Sequence, residues 1–185
     1  MAEADSRSRF PSPWRRFAAF AVDYVVLAVF IAVISAVFAL LPSDLVASLF
    51  ATPLRGQLTG LLVLTVPVWL YFALCEQSSG QATIGKRVMS LIVQGVDGRR
   101  MSLGQSLLRS GIKLVPWELA HTCLWRIEGW PAPEEPPHGW QLGGLVLVWV
   151  LVGLFLVPLF TTARHRSMYD VLARTLVVRR ETGSS

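Results

Sequence analysis

The chain has 185 residues, a formal net charge of +5, seven tryptophans and an apolar content of 53%, with a positive mean hydropathy. The length supports one domain, and the apolar content exceeds the roughly 45–50% of a soluble domain even when glycine is counted there, which argues against an ordinary water-soluble fold. The basic balance is read as the lysine and arginine excess of cytoplasmic segments in a membrane protein, not as a nucleic-acid footprint.

Residues 1–13 read as a cytoplasmic tail, ending in Ser12-Pro13, an N-cap followed by a first helical position. A helix over about 14–41 follows. Its apolar run, Phe17 to Leu41, is interrupted by one charge, Asp23, and is long enough to cross a hydrocarbon core about 30 Å thick. Arg15-Arg16 before an apolar stretch also has the outline of a signal peptide, but an h-region is normally about 7–15 residues, so a retained helix is expected. A second helix covers about 56–76. The segment over about 103–126 is more polar, carrying Arg109, Lys113, Glu118 and His121, and it crosses only if those groups face other helices or water. A fourth helix covers about 140–163. The loop from Trp130 to Gly139 is too proline-rich for regular structure.

Local signals fill in the rest. Val88 to Val93 and the Thr-Leu-Val-Val run before Arg179 are β-rich, so a strand near 88–94 should pair with a C-terminal strand in a small cytoplasmic sheet. Asp97-Gly98 is a turn signal. Ser102 with Gln105, and Ser167 with Asp170, read as capping boxes. Ala28, Ala32 and Ala36, and likewise Gly56 and Gly60, are small-residue faces that a neighbouring helix could approach. Cys75 and Cys123 lack metal-ligand spacing and are expected as reduced thiols. The fold class is thus an all-α membrane protein, a four-transmembrane-helix bundle spanning 14–179 with a small β-sheet, and 180–185 a second tail.

Charge sets the expected orientation. With the N-terminus inside and four crossings, only Arg55 and Arg126 of the 17 basic residues fall outside, while the outer loop carries Glu128, Glu134 and Glu135. Three crossings would put the C-terminal basic cluster outside. Both termini are therefore expected in the cytoplasm.

Three sequence blocks resemble one family. Arg16-Phe-Ala-Ala-Phe-Ala-Val-Asp23 opens the first helix; Gln81-Ala-Thr-Ile-Gly-Lys-Arg-Val88 follows the second; Ser167-Met-Tyr-Asp170-Val-Leu-Ala-Arg-Thr175 lies near the C-terminus. Together with Asp97-Gly98 and Arg109 in the expected order, they resemble the RDD family of bacterial membrane proteins. Ala82 and Ile84 depart from its usual Thr and Pro. The arginine and two aspartates of the family name correspond to Arg16 (or Arg15), Asp23 and Asp170. The resemblance implies a bacterial cytoplasmic-membrane location and no settled activity, although sodium–proton exchange has been proposed for some members.

The intramembrane charges carry the functional expectations. Asp23 lies two helical turns beyond Arg16, too far for a direct ion pair, so Arg109 or Lys113 is its expected partner. It is either a packing ion pair or an exchangeable carboxylate. Glu118 and His121 share a helix face at i, i+3, beside Pro116, whose missing N–H loosens the ladder. That spacing also occurs in carboxylate-bridged metal bundles, which need more carboxylates than this chain's crossings hold, so no metal site is expected. Asp23, Glu118, His121 and Glu76 are the candidate proton or cation relay; Arg16, Arg109, Lys113 and Asp170 are their charge partners, with Asp170 capping its helix. Gly85-Lys86 lacks the rest of a phosphate-binding loop, and no nucleophile elbow or Cys/His cluster appears, so neither an enzyme nor a cofactor is expected. The leading expectation is a small cation or proton transporter using Na+ or H+, assembled as a homo-oligomer because one four-helix subunit leaves little room for a path. The alternative is a non-catalytic membrane adaptor whose basic inner face, Lys86, Arg87, Arg99 and Arg100, recruits a partner or anionic lipid headgroups. Beyond the lipid bilayer itself, no nucleic acid is expected as a partner.

Overall fold

The structure, a computed structural model, describes residues 9–180; the rest of both predicted tails, Arg7 included, lies outside them. Helix α1 (Pro13–Leu40) starts where expected: Ser12 Oγ accepts the Arg15 N–H at 3.4 Å and Pro13 occupies the first turn. Leu41, extended before Pro42, stops it. A short helix α2 (Ser43–Leu49) leads to α3 (Pro53–Gly60), capped by Thr52. One π-helical turn, Leu61–Thr65, joins α3 to α4 (Val66–Gln77). Pro67 lacks the N–H that would meet the Val63 carbonyl, and the ladder shifts there. Then follow α5 (Ile84–Val88), β1 (Leu91–Gly95), α6 (Leu103–Leu124), α7 (Gly139–Thr161), α8 (Met168–Leu172) and β2 (Thr175–Arg179).

The predicted small sheet is present. β1 and β2 pair antiparallel, Leu91 opposite Arg179 through Gly95 opposite Thr175. The first strand begins later than its β-branched run suggests, because Thr83 caps a turn of helix that continues through Val88. Gly98 takes the left-handed conformation (φ 79°) that the Asp-Gly signal requires. Leu91, Val93, Met101, Val177 and Ala19 of α1 form one buried apolar cluster, so the tightest apolar core lies in this cap and includes the start of α1. Residues 125–138 contain no helix or strand, as the prolines dictate.

Three helices are long and apolar enough to cross a bilayer: Pro13–Leu40, Pro53–Gln77 and Gly139–Thr161. The expectation of four is thus matched by three on length and apolarity. Helix α6 has the length, 22 residues, but Arg109, Lys113 and Glu118 make it more polar than the other three. It is nonetheless central, packing against α4 on one side and α7 on the other. Side chains that would favour burial in a soluble protein are bare along the apolar helices: Val25, Val29 and Val33 on α1, and Val146, Trp149 and Val150 on α7, are all exposed. Such a surface suits acyl chains and not water.

The two small-residue faces differ in outcome. Trp125 lies flat on Gly56, where an added Cβ would come within 2.7 Å of the indole, and it also reaches Gly60. Ala28, Ala32 and Ala36 are instead exposed, because α1 docks mainly through the short helix α5.

Candidate functional site

Where the cap meets the helices, ionisable groups are buried at a density that needs explanation. Arg109 is 1% exposed, and Glu76 and Asp170 are fully buried. Arg109, one and a half turns into α6, sits between the two carboxylates. Its Nη1 donates to Glu76 at the end of α4, and its Nη2 donates to Asp170 of α8 at 2.6 Å. Its Nε reaches Asp170 at 3.1 Å and the Thr175 hydroxyl of β2 at 3.2 Å. A planar guanidinium can bridge two acids in this way; an ammonium cannot.

Each acid has a second cation. Lys86 of α5 donates to Glu76 at 2.5 Å, and Arg16 of α1 donates to Asp170 at 2.5 Å and also to the His165 carbonyl. Asp170 completes its shell with the Ser167 N–H at 3.0 Å and hydroxyl at 2.6 Å. Burial alone would raise the Asp170 carboxyl, but the Arg16 and Arg109 charges and the Ser167 hydroxyl outweigh it and hold it well below the ordinary carboxylate range. The Ser167–Asp170 box is therefore as predicted. At Ser102 only half of one forms: Ser102 Oγ accepts the Gln105 N–H, while the Gln105 side chain reaches across to the Ala173 and Arg174 carbonyls.

Asp23 departs from its expected pairing. It is 2% exposed and meets neither Arg109 nor Lys113 in an ion pair among the described residues. Three uncharged donors hold it: the Thr83 hydroxyl at 2.6 Å, and the Tyr71 hydroxyl and Gly85 N–H at 2.8 Å each. The close approach of α5 makes this possible. A Cβ on Gly85 would lie 1.9 Å from the Ala19 carbonyl oxygen, so only glycine lets this backbone reach the carboxylate. Glu76, expected in a relay, is locked between two cations instead.

Glu118 and His121 lie further along α6, both half-buried, and do not meet each other. Glu118 accepts the Thr65 hydroxyl, which in turn accepts the Trp117 indole N–H at 3.1 Å. His121 Nδ1 faces the Trp117 carbonyl at 2.9 Å. No group of three metal-ligating side chains converges among the described residues. The four relay candidates are therefore split into an Asp23 site, a Glu76 site and an outer pair, with no common ligand position. Sequence reasoning missed Tyr71, Thr83 and Thr175 as polar partners. Thr83 and Gly85 stood inside a quoted motif, but their role needs a contact with α1 that no local pattern encodes.

Beside this network lies a cavity of about 490 Å3, between α1, α4, α6 and α7. Its charged lining is Arg16, Asp23, Lys86, Arg109 and Lys113, at one end; Leu27, Ile31, Val148 and Val152 are among the apolar residues of its walls. Lys113 reaches into it with Nζ 3.1 Å from the centre of the Phe72 ring.

No curated protein and no solved structure matches the chain. A family model does, over residues 10–174, which takes in α1 with Arg16 and Asp23, the Thr83–Lys86 turn, Arg109 and Asp170. With its apolar helices and buried arginine–aspartate network, this membrane protein belongs to the RDD family.

Proposed function

We propose that this protein crosses the bacterial cytoplasmic membrane four times, with both termini inside, and works as a non-catalytic membrane module that engages anionic lipid through its cytoplasmic cap. Support for α6 as the fourth crossing is that Arg109 is spent on Glu76 and Asp170, Lys113 lies on an aromatic ring, and Glu118 is held by Thr65, so each turns to protein and not to acyl chains. The observation that carries the functional reading is the charge of the inner site. Its cavity is lined by four cations and one carboxylate, and the two acids behind it are each already paired twice. A cation entering there meets a positive field and no free carboxylate pair.

The cap supplies the binding surface. Arg87, Arg99, Arg100, Arg164, Arg174 and Arg180 are exposed, beside exposed Ile84, Val88, Val171 and Leu172. Basic and apolar side chains together suit the boundary of a leaflet rich in anionic headgroups, where each cation near the surface contributes about 1 kcal/mol. Reconstitution into vesicles of mixed phosphatidylglycerol and phosphatidylcholine tests this. Wild type should carry an anionic-lipid shell enriched over the bulk, and replacing Arg87, Arg99 and Arg100 with Ser should remove the enrichment. A soluble protein bound stoichiometrically to the same face, with no lipid enrichment, would replace the reading with a protein adaptor.

One observation favours a second reading, cation or proton exchange at Asp23: this carboxylate borders the cavity, and its donors among the described residues are all neutral. Sodium- or lithium-driven proton movement in proteoliposomes, abolished in a folded Asp23→Asn variant, would establish exchange. No movement across the neutral pH range would reject it.

A further inference from the structure

We infer that the cavity between α1, α4, α6 and α7 is a binding site for one anionic phospholipid, with Lys113 as the contact for its phosphate. The inference rests on the placement of these helices in a bilayer, and not on the basic outer face of the cap.

The first observation is an uncompensated charge. Arg16, Lys86, Arg109 and Lys113 line the cavity; Glu76 and Asp170 pair with the first three, and Asp23, also in the lining, is held by neutral donors. Four cations against three acids leave one positive charge over. The geometry assigns it to Lys113: every other cation has an ion pair, whereas among the described residues Lys113 Nζ has neither an ion pair nor a hydrogen bond. Its Nζ lies over the face of Phe72, with Phe20 further off at 5.8 Å. A cation–π contact recovers only part of what an ammonium loses on leaving water. An anion brought by a ligand would supply the rest.

The second observation is shape. On α1 the lining runs from Arg16 to Ile31, about 22 Å at 1.5 Å per residue, from the basic end to well past the middle of the helix. The charged residues cluster at the cap end and the walls beyond are apolar, so the site has one polar end and one long greasy end. Its volume of about 490 Å3 falls within the roughly 300–1,000 Å3 of ordinary ligand pockets. A free inorganic anion would leave the apolar walls empty, and a neutral lipid would leave Lys113 unmet. An anionic lipid satisfies both. Access is direct, since α1 meets the rest of the chain mainly at α5 and is open to the bilayer above it.

The test is native mass spectrometry of the full chain, released from bilayers containing phosphatidylglycerol and phosphatidylcholine of identical acyl chains. Wild type should retain one phosphatidylglycerol per chain, preferred over phosphatidylcholine by about tenfold or more, the scale of one charge-assisted hydrogen bond. Lys113→Met should lose the preference and Lys113→Arg should keep it. Val152→Trp, which fills the apolar part, should lose retention of both lipids. The Arg87→Ser, Arg99→Ser, Arg100→Ser variant should still retain its one lipid; if it does not, the lipid belongs to the outer face and the cavity assignment fails. Equal retention of the two lipids by wild type, unchanged preference in Lys113→Met, or retention of added oleate in place of phosphatidylglycerol would each overturn the proposal. Should Lys113→Met not fold, Val152→Trp decides alone.

Discussion

At the scale of single residues, the arrangement turns on which buried charge has a partner. Arg109 bridges Glu76 and Asp170, so removing it strands two buried carboxylates at once. Arg109→Leu should cost at least about 3–5 kcal/mol, the usual effect of breaking a buried pair, and is expected to abolish the folded peak in detergent size-exclusion chromatography. Arg109→Lys should rescue it only in part, because an ammonium on a shorter reach cannot serve both acids. Lys113 is the opposite case. With no acid to strand, Lys113→Met should leave the thermal midpoint of detergent-purified protein unchanged or raised. Asp170 predicts a pH dependence. Its folded-state carboxyl lies below the unfolded one, so its contribution is complete above about pH 4 and is lost as the pH falls further. Thermal melting of wild type should therefore be steady from neutral pH down to about 4 and drop below it, while Asp170→Asn should start lower and show a weaker acid slope.

At the scale of elements, α5 governs how the cap meets the membrane helices. It is only five residues long, yet it presents Gly85 to Asp23 and Lys86 to Glu76. Two glycine substitutions compare rigid and yielding neighbours. A Cβ at Gly85 would collide with backbone, the Ala19 carbonyl, whereas one at Gly144 would lie 2.3 Å from the Cys123 sulfur, the end of a side chain that can rotate. Gly85→Ala should cost about 3 kcal/mol or more and detach α5 from α1, seen as faster proteolysis at the cap; Gly144→Ala should cost about 1 kcal/mol and leave the cap protected. The sequence read most elements correctly where a local signal exists. Ser12-Pro13 opened α1, Ser167 with Asp170 boxed α8, and prolines kept 131–137 irregular. It misplaced the start of β1, where a Thr cap outweighed β-branched residues, and it contained no sign of the π turn before Val66 beyond Pro67 itself.

At the scale of the whole molecule, the helices and the cap divide the work. The helices carry exposed apolar surface outward, and the cap encloses the apolar cluster and the ion network. The proposed four-crossing topology is open to direct measurement. Cysteines introduced one at a time at Arg99 or Arg179 should be labelled only from the cytoplasm, and one at Glu134 only from outside. Labelling of Glu134 and Arg179 from the same side would mean that α6 does not cross. The Ala28, Ala32 and Ala36 stripe of α1 shows why a chain-local pattern misleads at this scale: small residues permit a close neighbour, but α1 is held mainly by α5 at its base, and the three alanines stay exposed among the described residues.

Hydropathy, capping residues and the order of the three motif blocks determined by themselves that this is a helical membrane protein with a two-stranded cap, because each of those signals acts over a few neighbouring residues. The pairing of charges was decided only in three dimensions. Arg109 could face Asp23, Glu76 or Asp170 by spacing alone, and the cap chose the last two by bringing residue 170 to residue 109, while Gly85 and Thr83 took Asp23. Buried electrostatics depends on which groups arrive within about 4 Å of one another, and that distance is set by the docking of α5 and α8 against the membrane helices, not by any run of adjacent residues.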